Sequence, residues 1–322
     1  MERLVTDMTE TEILFDLLEK GISPAHAVSA CEKRLTDAGF EVVDYGTAWN
    51  LKAGGKYVVN HHETTLFAFT LPQNWSDREP AIRIAAAHTD FPCLRIKPSC
   101  DIQTNGYAQV NVEVYGGAIL NTWLDRPLGV AGRVAVRSED VFTPEVVTFQ
   151  SEKNLMTIPN LAIHMNREVN KGVELNKQTE LLPICGLSDD ADYFLDFLVK
   201  ELAVKKEDIL DFELTIYNKE KPEFVGLNDE FISASRLDNL NSCSALVSAI
   251  IESDRADGMN LIALFDHEEI GSRSKQGAGS ILLHDMLVRI LTECGLEKEV
   301  WNRLYNSIIL SVDVAHGLHP NY

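Results

Sequence analysis

The chain has 322 residues, of which 45% are hydrophobic, and this is enough apolar material for a substantial core in about two domains. It carries 29 basic and 49 acidic side chains, and the resulting net charge of −20 disfavours nucleic acids and anionic membranes as partners. That charge fits an ordinary solvated acidic surface as well as cation binding. The six cysteines form no C-x-x-C pair, and neither a signal peptide nor a membrane-length apolar run is evident. These features predict a reduced, cytoplasmic protein.

The first ninety residues alternate between helical and strand patterns. Apolar spacing predicts a helix over residues 10–19. Ser23 followed by Pro24 is typical of a helix start, and we expect this second helix to run to Gly39. Short strands are predicted next, the last of them almost wholly apolar like a buried central strand, over residues 57–60, 66–70 and 82–87.

The middle of the chain has a different pattern. Residues 107–115, YAQVNVEVY, alternate between polar and apolar in the manner of a half-exposed antiparallel strand. Residues 130–136 and 146–149 are further short strand candidates with turn residues between them. We therefore interpret residues 92–230 as an inserted β-rich domain.

Alternating helices and strands return in the last ninety residues. The patterns predict helices over 239–252 and 281–294 and strands over 261–265 and 307–312. Strands that alternate with helices of this length favour a parallel sheet with helices on both faces. The predicted fold class is α/β: a central mixed, mostly parallel sheet flanked by helices. This α/β domain is formed by residues 1–91 and 231–322 and interrupted by the β-rich insertion.

Two motifs place potential metal ligands beside predicted elements. The buried strand in IRIAAAHTDFP delivers His88, and Asp90 follows two residues later, so both side chains point the same way in extended backbone. The imidazole can bind a metal ion while the carboxylate orients a ligand, although a hydrogen-bonded histidine at a strand end gives the same pattern. In SASRLDNLNSC, Asp238 precedes an amphipathic helix, where ordinary helix capping is the alternative to metal binding.

Two later apolar strands also end in acidic residues. The stretch LFDHEEIGS puts Glu268 beside Glu269, so that one carboxylate can bind metal while the other acts as general base. A solvated acidic loop is the alternative. The stretch IILSVDVAHGLHPNY ends its strand in Asp313, with His316 and His319 after it, and a simple turn at the strand end is the alternative.

All four motifs lie at the carboxyl end of an apolar strand or in the loop leading to a helix, and open α/β sheets bind ligands along that edge. Carboxylates together with imidazole suit a pair of divalent ions, with zinc, cobalt and manganese as candidates. Such ions polarise a carbonyl group and convert water into a nucleophile. Adjacent acids are tolerable where one binds a cation and the other takes the proton of the attacking water.

Five motifs in order make the chain resemble a known family along its whole length. They are AAHTDFP, YGGAILNTWLDRPLGVAGRV, IPNLAIHMNR, SRLDNLNSC with DHEEIGS, and SVDVAHGLHPNY. The chain is similar in these motifs to the M18 metallopeptidases, the aspartyl aminopeptidases. The resemblance implies a dinuclear, zinc-dependent aminopeptidase that removes N-terminal Asp or Glu from peptide substrates.

The resemblance also implies which residues hold the two metal ions. His88 and Asp313 match terminal ligands of one ion, Asp238 matches the bridging carboxylate, and Glu269 matches a ligand of the second ion.

Other site residues follow from the same resemblance. Glu268 matches the general base, and Asp90 matches the residue that orients the histidine ligand. A histidine in the segment that corresponds to residues 159–167 reaches the active site of a neighbouring subunit and stabilises the reacting carbonyl, and here that residue is His164. The family forms tetrahedral dodecamers, so a homo-oligomer is expected. The resemblance also implies that residues 1–91 and 231–322 form the catalytic domain and that residues 92–230 serve dimerisation or larger assembly.

One departure from the family pattern leaves alternatives open. Family members extend further than Tyr322, and the additional part carries the last histidine ligand of the second metal site, for which this sequence has no match. We therefore expect a fragment or a truncated homologue. A catalytically inactive scaffold that keeps the fold and the assembly surfaces is one alternative function. A related dinuclear aminopeptidase or deacylase of different specificity is the other.

Overall fold

The structure, a computed structural model, describes residues 8–75, 81–172, 174–253 and 257–322. These residues form two compact units. The described residues before Pro92 and after Lys221 form the first unit, and those within Pro92–Lys221 form the second.

The first unit begins with two capped helices. Thr9 accepts a hydrogen bond from the backbone N–H of Glu12, whose carboxylate accepts one from the N–H of Thr9. Ser23 caps the second helix, which begins at Pro24 as predicted. The elements before Pro92 are α1 (Glu10–Lys20), α2 (Pro24–Asp37), β1 (Glu41–Val42), β2 (Lys56–His61), β3 (Thr65–Thr70) and β4 (Ile82–His88).

The second unit is one antiparallel sheet with a helix packed on it. Its elements are β5 (Cys93–Thr104), β6 (Tyr107–Tyr115), β7 (Leu128–Val136), β8 (Glu145–Gln150), β9 (Ile184–Leu187), α3 (Tyr193–Leu202) and β10 (Ile209–Asn218). The strand order is β8-β7-β10-β5-β6-β9, and every neighbouring pair is antiparallel. Helix α3 buries Phe194 and Leu198 in the same apolar cluster as the sheet residues, which gives this unit its own core.

The first unit then resumes with a short hairpin. Its elements are β11 (Glu223–Val225), β12 (Phe231–Ser233), α4 (Leu237–Glu252), β13 (Met259–Phe265), α5 (Leu282–Glu293), α6 (Val300–Tyr305) and β14 (Ile308–Ser311). β11 pairs with β12, and Phe224 of β11 contacts Phe15 of α1, with ring centroids 5.1 Å apart. Residues 222–230 therefore belong to the first unit, whereas the sequence-based division assigned them to the insertion.

The predicted fold class is confirmed by the sheet of the first unit. Its strand order is β1-β2-β3-β13-β4-β14. The pairs β1–β2, β13–β4 and β4–β14 are parallel, whereas β2–β3 and β3–β13 are antiparallel, so the sheet is mixed and mostly parallel.

Helices pack on this sheet on both sides. Alternate residues of β13, such as Leu261 and Phe265, share an apolar cluster with Met286 and Ile290 of α5. Helices α2 and α4 contact β2, β3, β4 and β13 without joining that cluster, so they pack on the opposite face. Within the described ranges, no helix is both long enough and apolar enough to cross a membrane.

Candidate metal centre

Three parallel strands bring the candidate ligands to one edge of the sheet. β13 runs beside β4 with Phe265 opposite His88, and β14 runs along the other side of β4 with Ser311 opposite Ala86. The strands are parallel, so the residues that follow them leave the sheet at the same edge. Asp313 lies two residues beyond the end of β14.

Three of the predicted ligands meet at this edge. Ligand atoms of His88, Asp238 and Asp313 all lie within 4.8 Å of one another. His88 Nε2 is 3.4 Å from Asp238 Oδ1 and 3.6 Å from Asp313 Oδ1. His88 is buried, whereas the two carboxylates are half exposed and open to an incoming ligand. Asp238 lies in the first turn of α4 with non-helical dihedral angles, φ −80° and ψ 111°.

The other ring nitrogen of His88 faces Asp90. His88 Nδ1 is 3.0 Å from the carbonyl oxygen of Asp90 and 3.3 Å from its Oδ1. These acceptors hold a proton on Nδ1, so that Nε2 can present its lone pair to a metal ion at the acidic cluster once its own proton is displaced. The Asp90 carboxylate is fully buried, and it accepts hydrogen bonds from the backbone N–H groups of Glu268 and Glu269, both at 3.1 Å. Asp90 thus holds both the imidazole and the turn with the two acids.

The charges around His88 fit a cation. Burial lowers the pKa of His88, but the hydrogen bond and charge of Asp90, together with the charge of Glu268, outweigh burial and raise that pKa to about 9. Burial raises the pKa of Asp238, and the nearby carboxylate of Asp313 raises it further against the opposing effect of His88. An imidazole nitrogen together with carboxylate oxygens is a set of ligands that zinc binds in proteins. A divalent ion would also relieve the electrostatic repulsion between the carboxylates.

The two adjacent glutamates differ in position. Glu268 Oε2 lies 3.8 Å from His88 Nε2, and half of the Glu268 side chain is exposed, so this carboxylate borders the cluster. Within the described residues, the group of mutually close ligand atoms comprises His88, Asp238 and Asp313 and does not include Glu269. Metal binding by Glu269 therefore stays a prediction.

The remaining histidines of the sequence analysis lie outside this cluster. His164 is exposed in a turn of the second unit. Its predicted role concerns a neighbouring subunit and stays a prediction. His316 and His319 are exposed beyond β14 and do not belong to the group of mutually close ligand atoms within the described ranges.

Sequence reasoning assigned no role to three residues that the structure places around the site. Cys243 of α4 donates a hydrogen bond to the backbone carbonyl of His88, and His267 and Asp266 interact with each other beneath the turn of Glu268. Asp266 and His267 directly precede Glu268, and Cys243 shares a motif with Asp238. Their contacts, however, depend on the tertiary fold and cannot be predicted from the spacing of residues in the sequence.

Comparison with known proteins gives the same family. Residues 17–322 match the family model described as aminopeptidase I zinc metalloprotease (M18). The probable M18 family aminopeptidase 2 of Clostridium novyi is 41% identical over 314 residues, which are 96% of this chain and 72% of that protein. The probable M18 family aminopeptidase 2 of Pseudomonas aeruginosa strain UCBPP-PA14 is 40% identical over 316 residues, with the same shares covered.

Solved structures agree in fold. A chain in the cryo-EM structure of the Ape4 and Nbr1 complex superimposes with a TM-score of 0.87 at 32% identity, covering 100% of this chain and 67% of that one. Chaetomium thermophilum mApe1 gives a TM-score of 0.85 at 29% identity, covering 97% of this chain and 76% of that one. The chain belongs to the M18 family of zinc metalloproteases, whose matching members are aminopeptidases.

Proposed function

We propose that the protein is a dinuclear zinc aminopeptidase that releases N-terminal Asp or Glu from peptides. The observation that supports this most directly is the convergence of His88, Asp238 and Asp313, with the Glu268 carboxylate beside them. In this proposal Glu269 is a ligand of the second ion, and Asp90 orients His88.

Glu268 and Asp90 have different roles in the proposed hydrolysis. A bound zinc ion would supply positive charge that polarises the scissile carbonyl and lowers the pKa of an attacking water. Glu268 Oε2 takes the proton from that water and delivers it to the nitrogen of the departing peptide. Asp90 keeps the imidazole of His88 in the tautomer that presents Nε2, and it fixes the backbone of Glu268 through the hydrogen bond at 3.1 Å.

The assigned base can be tested with an isosteric change. Glu268→Gln keeps the size of the side chain and removes its ability to accept a proton, so we expect zinc content to be unchanged and kcat to fall by at least about 10²-fold. Glu297→Gln, on an exposed residue in the turn between α5 and α6, is the matched control and should retain full turnover. A Glu268→Gln protein with the wild-type rate would remove Glu268 from the mechanism.

The number of ions is a separate question. In a chain that also carries the family's last histidine ligand, we expect zinc analysis after dialysis to give two ions, and we expect Glu269→Gln to remove one of them. A single ion in such a chain would contradict the dinuclear site. A single ion without peptide release would support the alternative of an inactive scaffold that keeps the family fold.

Specificity for acidic residues rests on the family resemblance. A panel of amino-acid anilides with Asp, Glu, Leu and Ala should show the highest kcat/KM for Asp or Glu. If kcat/KM were highest for Leu or Ala instead, the result would favour the related aminopeptidase of different specificity. Turnover of N-acyl amino acids alone would favour a deacylase.

We also propose that the protein is a cytoplasmic homo-oligomer in which His164 reaches the active site of a neighbouring subunit. Side chains next to His164 are apolar and exposed, with Ile163 at 50% and Met165 at 76% of full exposure, and such groups are common at subunit interfaces. All six cysteines are free thiols, as a reducing compartment requires. Light scattering should give a mass that is a multiple of the chain mass, and His164→Ala should lower kcat without changing that mass. A monomer would contradict the assembly.

A further inference from the structure

The turn that carries Glu268 and Glu269 is fixed on one side by the carboxylate of Asp90. Each Asp90 oxygen accepts one backbone N–H, from Glu268 and from Glu269. These two hydrogen bonds orient the backbone of the turn, but they do not fix the direction in which the chain enters the turn from β13. That direction depends on the backbone conformation of the residue before Glu268.

That residue is His267, and its backbone is in the left-handed region at φ 65°. A side chain with a Cβ adopts this conformation at a cost, so the surrounding contacts must hold it there. The His267 carbonyl accepts a hydrogen bond from the N–H of Ser272 at 2.8 Å, and its own N–H donates to Asp266 Oδ1 at 2.8 Å. The backbone of His267 is therefore bonded on both sides.

The buried imidazole of His267 makes a further pair of contacts. Its Nδ1 lies 2.7 Å from Ser274 Oγ. Its Nε2 lies 3.4 Å from Asp266 Oδ2, a buried oxygen with no hydrogen bond among the described residues. Because Nε2 faces this carboxylate, we assign the proton of the imidazole to Nε2, and Nδ1 then accepts from the Ser274 hydroxyl.

Ser274 is itself attached to a rigid part of the sheet. The N–H of Gln276 donates to Ser274 Oγ at 3.3 Å, and the buried Gln276 side chain donates to Thr64 Oγ1 at 2.5 Å. The Thr65 hydroxyl of β3 donates to the Gln276 carbonyl at 2.8 Å. Ser274 is thus held by β3 and its preceding turn, and through its hydroxyl it holds His267.

We propose that His267 and Ser274 form a positioning pair that sets the direction of the Glu268–Glu269 turn. The inference rests on the proposed function, because it assigns the pair to the general base and to the second-ion ligand of that reaction. The pair acts through the backbone and touches neither substrate nor metal. Loss of the Ser274 hydroxyl would free the imidazole and loosen the left-handed residue, so the Glu268 carboxylate would lose its fixed position.

Amide hydrogen exchange of the metal-free chain tests the pair without any use of activity. Ser274→Ala should raise the exchange rate of residues 266–272 by about tenfold, the effect of one lost hydrogen bond on a local opening equilibrium. Ser274→Thr retains the hydroxyl and should restore slow exchange. Ser280→Ala is the matched control, because the Ser280 hydroxyl bonds within the same loop to the carbonyl of Gly277 and not to His267. It should leave residues 266–272 unchanged.

Kinetics of the zinc-loaded full chain give the second readout. Ser274→Ala should lower kcat by about ten- to hundredfold with little change in KM and with zinc content intact, because misplacement of a proton acceptor by a fraction of an ångström costs rate rather than binding. Ser274→Thr should recover most of the rate. His267→Asn, which tolerates the left-handed conformation, should lower kcat similarly, and the double variant should be no slower than either single variant.

The outcomes separate the inference from the proposed function. Slow exchange in Ser274→Ala, fast exchange in Ser274→Thr, or strictly additive effects of the two single variants would overturn the positioning pair. If the wild-type chain releases no amino acid from any peptide, the proposed function fails, and the exchange experiment alone decides on the pair.

Discussion

The buried thiol of Cys243 donates a hydrogen bond to the backbone carbonyl oxygen of His88, over a distance of 3.0 Å between Sγ and O. Cys243 belongs to α4, which carries Asp238, and His88 ends β4. Burial raises the pKa of this thiol well above its usual range, so Cys243 keeps the proton that it donates. One side chain thereby joins the two elements that supply two of the clustered candidate ligands.

Cys243→Ala should weaken both the fold and the metal site. Loss of the donor leaves the His88 carbonyl without that bond and opens a small void, so we expect the free energy of unfolding to fall by about 1–3 kcal/mol in urea titration. Zinc affinity, measured by competition with a chromophoric chelator, should fall as well. Cys294→Ala, at a half-buried thiol that packs at the edge of the α5 core, is the control and should leave zinc affinity unchanged.

Asp90→Asn should lower zinc affinity by about 10- to 100-fold, which is the usual effect of losing a carboxylate that orients a histidine ligand. The amide places an N–H₂ group where one carboxylate oxygen accepts the N–H of Glu268 or Glu269, so one of those bonds must break. Isothermal titration of the metal-free protein measures the change. Asp37→Asn, at an exposed carboxylate paired with Lys33, should bind zinc like the wild type. Equal affinities in both variants would exclude this role of Asp90.

The burial of His26 predicts that the free energy of unfolding falls in acid. Burial lowers its pKa from 6.5 to about 4. Between these values the unfolded chain binds more protons at this residue than the folded chain, so the free energy of unfolding falls as the pH drops from about 6.5 to about 4. The contribution of His26 is about 1–3 kcal/mol. His26→Gln should make urea unfolding less dependent on pH across this window, whereas His284→Gln, at an exposed histidine, should retain the wild-type slope. Identical slopes for both variants would refute the assignment.

Gly132, in the second unit, leaves no room for a methyl group. It lies in β7 at φ 151°, and an added Cβ would stand 2.0 Å from the carbonyl oxygen of Glu213 in β10. Gly132→Ala must therefore displace one strand of a paired ladder, and we expect a loss of about 2–4 kcal/mol in unfolding free energy. Gly117→Ala, with no atom within 4 Å of the added Cβ, should cost less than about 1 kcal/mol. Comparable losses in the two variants would contradict this explanation.

The fold could be predicted where side-chain periodicity matches burial. β4 and β13 are apolar runs because both faces of the central sheet are covered, and the prediction of these strands is confirmed. β5 was missed because Pro98 and charged residues interrupt its pattern where its register with β6 shifts. Helix α3 was missed because its surroundings are rich in strands, although its own apolar spacing is helical.

The candidate site was predictable to the extent that it depends on strand ends. His88 ends β4 and Asp313 follows the neighbouring parallel strand β14, so their proximity is a consequence of the sheet. Asp238 joins them from the start of α4. The supporting contacts depend on three-dimensional position instead. Ser274 and Thr64 are 210 residues apart, and both bond to Gln276 through a loop conformation that no local pattern specifies.

Within the described part of the chain, β14 is an edge strand of its sheet. Its residues Ile308, Ile309 and Leu310 are each more than half exposed. Asp313 follows this strand by two residues. A polypeptide that added itself beside β14 would therefore stiffen the segment that holds one corner of the metal cluster. Zinc uptake and strand addition would then favour each other by the same factor, because the effect of each on the other is reciprocal at equilibrium. Strand addition at this edge of the sheet would thus be coupled to metal binding.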